Sequence, residues 1–535
     1  MKKAYVGGAV VTMEDARPAA QALAVEDGRI AAVGTEAEVL AACPGAERID
    51  LGGAALLPAF IDAHSHFSSV AGGFLQVSLA GCADFAAVQA RIRDFLRSGG
   101  GEKGAWVLVK DYDQADLREG RLTASALDAA APENPVMVQH RCGHTGVCNS
   151  EGLRRLGVTA ETPDPAGGRY GRDGGRLSGY LEENAFFQNI RRVPAPEGPA
   201  LLNAYRLAQE EYASRGIATV QEGMMVPQMA PLHRLLLDSG LLRLDLVSYP
   251  EFSAAEELYR AFSAGEKGYR GHYRLGGVKI FLDGSPQEHT AWMRPQSAYL
   301  PRTPGGPAER SRGVMETAAV ETAMEWAARR GVQLLAHCNG DAAAEQYLNA
   351  AAAVERRCPG FAALRPVMIH AQLLAPDQLP QVRALGVIPS FFAAHVYHWG
   401  DAHIRSFGPG RAALISPAAD ALRAGILFTF HQDAPVIEPD MLETVWCAVN
   451  RLTRSGVLLG PEERIPVWEA LKAVTRNAAF QYGEEADKGT LAPGKLADLT
   501  ILEENPLTVP PERIRDIRVL ETLKAGETVY RRADA

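Results

Sequence analysis

The hydrophobic positions of this chain follow two patterns. Near both ends, short apolar runs are cut by turn signals: AYVGGAVVTM, ALAVEDGRIAAVG and ERIDLGGAALLP within residues 4–57, then GTLAPGKLADLTIL and IRVLETLKAGETVY in the last fifty. Runs of this length bounded by Gly, Asp-Gly and Gly-Gly read as β-strands, and Glu26-Asp27-Gly28 between two of them reads as a hairpin turn. Neither end closes a sheet alone, so residues 1–57 and 480–535 are expected to form one discontinuous β-sandwich domain. Between them, residues 58–479 alternate near-continuous apolar runs with Ala/Glu/Arg-rich segments of helical spacing, such as ETAMEWAARRG and AADALRAG. The strand-like runs lie at 54–62, 217–222, 242–249, 273–282, 332–337, 366–370, 387–391 and 426–433. Eight strand–helix repeats predict an α/β fold, a (β/α)₈ TIM-type barrel, with a doubly wound open sheet as the rival architecture.

One long interruption, residues 67–215, follows the first of these strands. It carries strand-like runs at 106–111 and 135–140 and a Gly/Asp/Arg-rich loop at 164–179. An insertion at the carboxyl end of a barrel strand is expected to serve as a lid or substrate-binding subdomain, the alternative being a peripheral decoration or oligomer contact.

Composition narrows the class. The 535 residues are 47% hydrophobic and 22% charged, with a net charge of −9. Those are the proportions of a soluble globular protein, and the acidic balance without an Arg/Lys run argues against a nucleic-acid partner. No stretch reaches membrane-spanning length, and the amino terminus lacks a signal-peptide pattern, so no membrane association is expected. Seven cysteines without CxxC spacing read as reduced thiols in a cytoplasmic protein. A homodimer is the default expectation for a soluble enzyme of this size.

The chemistry is read from what ends each strand. The first ends in His64 and His66, two imidazoles that a period of two turns to one side. The fourth buries Lys279 among Val278, Ile280 and Phe281 and ends near Asp283; the fifth ends in His337, the sixth in His370, and the eighth in His431 and Asp433. In a barrel the carboxyl ends of all strands converge on one axis, so these residues meet although they are distant in sequence. Imidazole and carboxylate are metal ligands. A buried lysine is held neutral or paired, and its neutral amine can take up carbon dioxide to give an anionic carbamate. Glu222, which ends the second strand, is the alternative oxygen ligand should Lys279 stay unmodified.

The chain resembles the amidohydrolase superfamily and, within it, the amidohydrolase-3 group, which is YtcJ-like and includes N-substituted formamide deformylase. The similar segments are PAFIDAHSHF (58–67), RCGHTGVCNSEGL (141–153), GIATVQEG (216–223), GGVKIFLDGS (276–285), QLLAHCNGDAA (333–343), RPVMIHAQLL (365–374), DAPV (433–436), VTRNAA (474–479) and GTLAPGKLADLTIL (489–502). The resemblance implies a barrel beside a β-sandwich built from both termini, and a binuclear centre, usually of zinc. It implies that His64, His66 and Asp433 ligate the more buried ion, that carboxylated (carbamylated) Lys279 bridges, and that His337 and His370 hold the second ion. Asp433 then serves as general base and acid. His431 departs from the group, where that position is small; contact with the substrate or with a ligating residue is expected of it. Arg141 and His144 in the insertion, and His395 and His398 after the seventh strand, are further expected substrate contacts.

The function expected is metal-dependent hydrolysis of a non-peptide C–N bond, an amide, N-acyl or N-formyl group, in a small molecule. The enzymatic alternative is cyclic-amide hydrolysis or heterocycle deamination on the same scaffold. The alternative of another class is a non-catalytic metal-binding or scaffold protein.

Overall fold

The computed structural model describes residues 2–98, 102–140, 145–194, 198–262, 268–287, 289–301, 308 and 310–533. It divides into two compact units, Ser68–Ala208 and the remainder of the chain, Met1–Phe67 with Gln209–Ala535.

In the larger unit the two chain ends build two sheets. Strands Arg29–Gly34, Ala22–Glu26, Lys2–Val6 and Glu47–Asp50 form a four-stranded sheet in that order. The Asp27-Gly28 turn opens its hairpin with both residues at positive φ (48° and 79°), the geometry that matches the twist of paired strands. A six-stranded sheet runs Glu527–Arg531, Val519–Lys524, Leu499–Leu502, Ala55–Pro58, Ala9–Val11 and Ala19–Ala20. Its centre pairs a carboxyl-terminal strand antiparallel to an amino-terminal one, Leu499 opposite Pro58 and Leu502 opposite Ala55. Tyr5, Leu23 and Ile30 of the first sheet share a buried core with Leu56, Leu499 and Ile501 of the second.

The rest of this unit holds two parallel sheets. The first runs Phe60–Ile61, Ile217–Met225, Asp245–Pro250 and Tyr273–Leu275; the second runs Gly277–Phe281, Gln333–Cys338, Val367–His370, Ile388–Phe391 and Thr429–Phe430. Helices follow the strands, among them Thr317–Arg330, closed by Gly331 at φ 67°, and Ala418–Arg423. One buried core takes Ile61, Val247 and Tyr249 from the first parallel sheet and Leu335, Ile369 and Ile388 from the second. The strands are mostly apolar because both faces are covered, and the polar side chains they bury stand out against that background.

Two sequence expectations change here. The run 54–62 is not one strand. Its first half pairs in the terminal sheet, and the partner switches at Ala59, whose N–H goes to Asp498 O while that of Phe60 goes to Gly216 O. The run 273–282 is likewise two strands, divided at Gly276, where a Cβ would stand 2.4 Å from the Tyr249 ring.

The smaller unit carries its own six-stranded sheet, in which Val107–Tyr112 and Val136–His140 pair in parallel. The segment read as a loop at 164–179 is largely a β-hairpin, Gly168–Asp173 against Arg176–Glu183. Glycine-rich composition concealed it: Gly174 and Gly175 at positive φ make a two-residue turn, and Arg169 pairs with Glu182 across the strands. Among the described residues no helix is long and apolar enough to cross a membrane, and the described cysteines are free thiols.

Candidate metal centre and active site

Alternation on the Gly277–Phe281 and Gln333–Cys338 strands places Lys279 opposite Leu335 and Phe281 opposite His337. Leu335 lies in the shared core, so Lys279 faces the same interior and His337 stands one step nearer the strand's carboxyl end. On the next strand Val367 and Ile369 occupy that core, and strict alternation would turn His370 away. A left-handed backbone at His370 (φ 72°) and Ala371 (φ 44°) breaks the alternation there, and Asp433 is also left-handed (φ 53°). Non-glycine residues in this region are strained and are often held at functional sites.

These residues meet. Asp433 Oδ1 is 3.4 Å from both His64 Nε2 and His66 Nε2, and its Oδ2 is 3.9 Å from His370 Nε2. Lys279 Nζ is 3.4 Å from His64 Nε2, and His370 Nε2 is 3.1 Å from His337 Nδ1. One atom each from His64, His370 and Asp433 lies within 4.8 Å of the others. Of the sequence-derived residues, His64, His66, Lys279, His337, His370, His431 and Asp433 therefore gather at one place.

The far nitrogens of His64, His337 and His370 are held. His64 Nδ1 is 2.6 Å from Gln221 Oε1, and the amide is oriented because its Nε2 donates to Ala63 O and the Tyr482 hydroxyl. His64 therefore carries its proton on Nδ1 and turns a bare Nε2 inward. His66 Nδ1 is 3.8 Å from Glu222 Oε1. His337 Nε2 faces Gly284 O at 3.2 Å, leaving Nδ1 inward. His370 Nδ1 is 3.1 Å from His431 Nε2, and His431 Nδ1 is 2.9 Å from Ser390 Oγ. Partners of this kind fix the tautomer and aim of metal-binding histidines. Gln221, Ser390 and the Gly284 carbonyl escape a sequence reading; the one signal was a glutamine inside the apolar run IATVQEG.

Electrostatics follow from burial. The Lys279 amine, fully buried, is lowered to about 7 against the opposing pull of Asp433. Burial and the neighbouring cationic groups hold His64 and His370 well below the usual imidazole range, and His337 at about 4. His66 is the exception. Burial lowers it, but the Asp433 and Glu222 carboxylates overcome this and raise it to about 9. Asp283, raised to about 7 by burial against three backbone N–H groups, pins Trp292, Asn339 and Gly340 beside His337.

The donor set fits a divalent cation. The His64, His337 and His370 imidazoles are held neutral and turn a nitrogen inward, His66 would give up its proton to a bound cation, and Asp433 Oδ1 is buried without a well-aligned hydrogen bond.

The remaining expected contacts are elsewhere. His395 and His398 open the helix His395–Phe407. His395 Nδ1 is 3.1 Å from His403 Nε2 and its ring packs on Phe392, which in turn lies against His370 and His431. His398 Nε2 is 2.9 Å from Glu443 Oε1. Neither reaches the cluster directly. Arg141 and His144 lie outside the described residues.

The parallel strands thus bring histidines, an aspartate and a mid-strand lysine to one place. The family model of the amidohydrolase family matches residues 47–530, and the chain belongs to that family, hydrolases acting on carbon–nitrogen bonds other than peptide bonds. It is 29% identical to N-substituted formamide deformylase of Arthrobacter pascens over 99% of both chains, and 25% identical to the putative amidohydrolase YtcJ of Bacillus subtilis over the whole of both. Among solved structures it resembles an uncharacterized metal-dependent hydrolase from Pyrococcus horikoshii, with a TM-score of 0.76 at 23% identity over 96% of this chain and 99% of that one.

Proposed function

We propose that this chain is a metal-dependent hydrolase that cleaves an amide, N-acyl or N-formyl bond in a small molecule. The observation that carries the reading is the meeting of His64, His370 and Asp433 from three distant segments, with buried Lys279 beside them. The identity to a formamide deformylase supports the bond class. The two parallel sheets are read as arcs of one (β/α)₈ barrel, supported by the core they share, and the terminal sheets as a β-sandwich, supported by theirs.

His64, His66 and Asp433 would hold one ion and His337 and His370 a second, zinc being suited to imidazole and oxygen donors. Lys279 would bridge as a carbamate: its free amine adds to the carbon of carbon dioxide and loses one proton, forming N-carboxylate. A burial-lowered amine is the form that reacts. A divalent ion bound here supplies Lewis acidity toward a carbonyl and toward water. Asp433 accepts the proton of the attacking water and returns it to the leaving nitrogen, so that amide and water give carboxylate and amine. The held far nitrogens of His64 and His337 keep both rings aimed while charge develops.

The test is a panel of N-formyl, N-acyl and cyclic amides offered to the wild type and to Asp433→Asn. Turnover of at least one acyclic amide is expected, with kcat reduced at least ~100-fold in Asp433→Asn. Equal kcat in the two proteins overturns the reading.

A further inference from the structure

We propose that His431 is a positioning residue that, with Ser390, fixes His370 in the tautomer whose Nε2 faces Asp433. The inference rests on the metal-centre reading above and adds to it a hydrogen-bonded chain of three residues, two on neighbouring strands and His431 just past the end of a third.

Ligation through His370 Nε2 is compatible with one direction of this chain. If His370 Nε2 is to offer a lone pair beside Asp433 and His337, its proton must sit on Nδ1. The atom facing Nδ1 is His431 Nε2, 3.1 Å away, which must then accept. An imidazole that accepts at Nε2 carries its own proton at Nδ1, where the Ser390 hydroxyl oxygen waits at 2.9 Å. Ser390 is fully buried and placed by register, opposite Thr429 on the adjoining strand, so the chain starts from a rigid point. The His431 ring is also fully buried and has no room to turn. It is edge-on to His64 at a centroid distance of 5.3 Å and tilted against Phe392 at 5.3 Å. With both nitrogens committed, His431 has no lone pair left for an ion. The period of two that brings it to the side of Asp433 thus yields a partner of a ligand rather than a ligand.

A hydrogen bond fixing the tautomer of a ligating histidine is typically worth 10–100-fold in metal affinity. His370 is the ligand with most need of one, because its left-handed backbone leaves the ring direction unsupported by strand geometry.

Three variants test the chain: His431→Gln, whose amide oxygen can still accept from His370 Nδ1; His431→Leu, which cannot; and Ser390→Ala. Zinc affinity of the full-length protein is read by chelator competition, beside the thermal midpoint and the amide hydrolysis rate. Expected are a 10–100-fold loss of affinity in His431→Leu, a smaller loss in Ser390→Ala, and recovery to within a few-fold of wild type in His431→Gln. Wild-type affinity in His431→Leu overturns the inference while leaving the metal centre intact. So does a His431→Gln protein that melts like wild type yet binds as weakly as His431→Leu, since ring packing would then be the cause. A wild type that takes up no divalent ion overturns the metal reading itself and this inference with it. Should His431→Leu fail to fold, His431→Gln against Ser390→Ala decides: equal, unreduced affinity in both contradicts the chain.

Discussion

Lys279 has an amine at the centre of a strand whose neighbours, Val278 and Ile280, are as buried as it is. Among the described residues its hydrogen-bonding neighbour is His64 Nε2, at 3.4 Å, which cannot neutralise an ammonium, and the pull of Asp433 does not offset burial. Burial therefore favours the free amine, and a free amine beside a cation-seeking cluster is what carboxylation requires. Incubation with ¹³C-bicarbonate and metal should give a carbamate carbon resonance in wild type and none in Lys279→Met, which should also lose at least half of the bound metal. The same resonance in both proteins would place the carboxylated amine elsewhere. At this scale the sequence was informative where a polar side chain interrupts or ends an apolar run, as with His64, Lys279 and Asp433. It was silent on Ser390 and Gly284 O, and gave only a trace of Gln221 as a glutamine inside an apolar run, because a hydrogen-bond partner is chosen by the fold and leaves no period or spacing of its own.

The strand Ile217–Met225 shows how an element sets the site. Gly223 donates its N–H to Ser65 O at 2.7 Å, and a Cβ built there would stand 2.4 Å from His64 Cε1. Strand and ring can approach this closely only because the residue is glycine. Gly223→Ala should push the His64 ring off its Gln221 partner and weaken metal binding at least ~10-fold while most of the fold stays intact. Unchanged affinity by chelator competition would mean that His64 is not a ligand. Elements were legible to different degrees. The parallel strands are apolar on both faces and so visible as runs, and the helices betray themselves by spacing and terminal glycine. The hairpin Gly168–Glu183 was hidden by its glycines, and the switch at Ala59 by a single apolar run that serves two sheets in turn. His395 and His398, expected on a loop lining the pocket, lie on a helix, where side-chain direction follows a different period and takes them to His403 and Glu443.

Across the larger unit, the chain ends are tied to the parallel strands by buried charge. Asp245, the first residue of its strand, lies 2.5 Å from Lys488 Nζ and 2.6 Å from Lys524 Nζ, and Lys524 also meets Asp498 at 2.7 Å. Burial alone would raise the Asp245 carboxyl, but the two ammonium groups hold it far below the usual carboxylate range; Lys488 is correspondingly raised despite its burial. A depressed folded-state carboxyl stabilises above its unfolded value of about 4 and loses that contribution as the pH falls below it. A raised lysine stabilises below about 10 and loses that as the pH rises. Asp245→Asn leaves two buried lysines underpaired and should cost on the order of 3–5 kcal/mol at neutral pH in urea unfolding, with a flattened acid limb. A loss below about 1 kcal/mol would show that the cluster does not hold the ends. Beyond the Glu484–Lys488 spacing of four, no local sequence pattern announces this network, since its members come from residues 245, 272, 484, 488, 498 and 524. The larger unit brings a few inward-facing nitrogens and one carboxylate together near the ends of its parallel strands, and the most direct test of the proposed metal-dependent hydrolysis is the rate of amide cleavage by protein stripped of metal with a chelator and then reconstituted. A loss of at least ~100-fold is expected on stripping, with recovery on adding a divalent ion; full activity in the metal-free protein would overturn the metal-dependent reading.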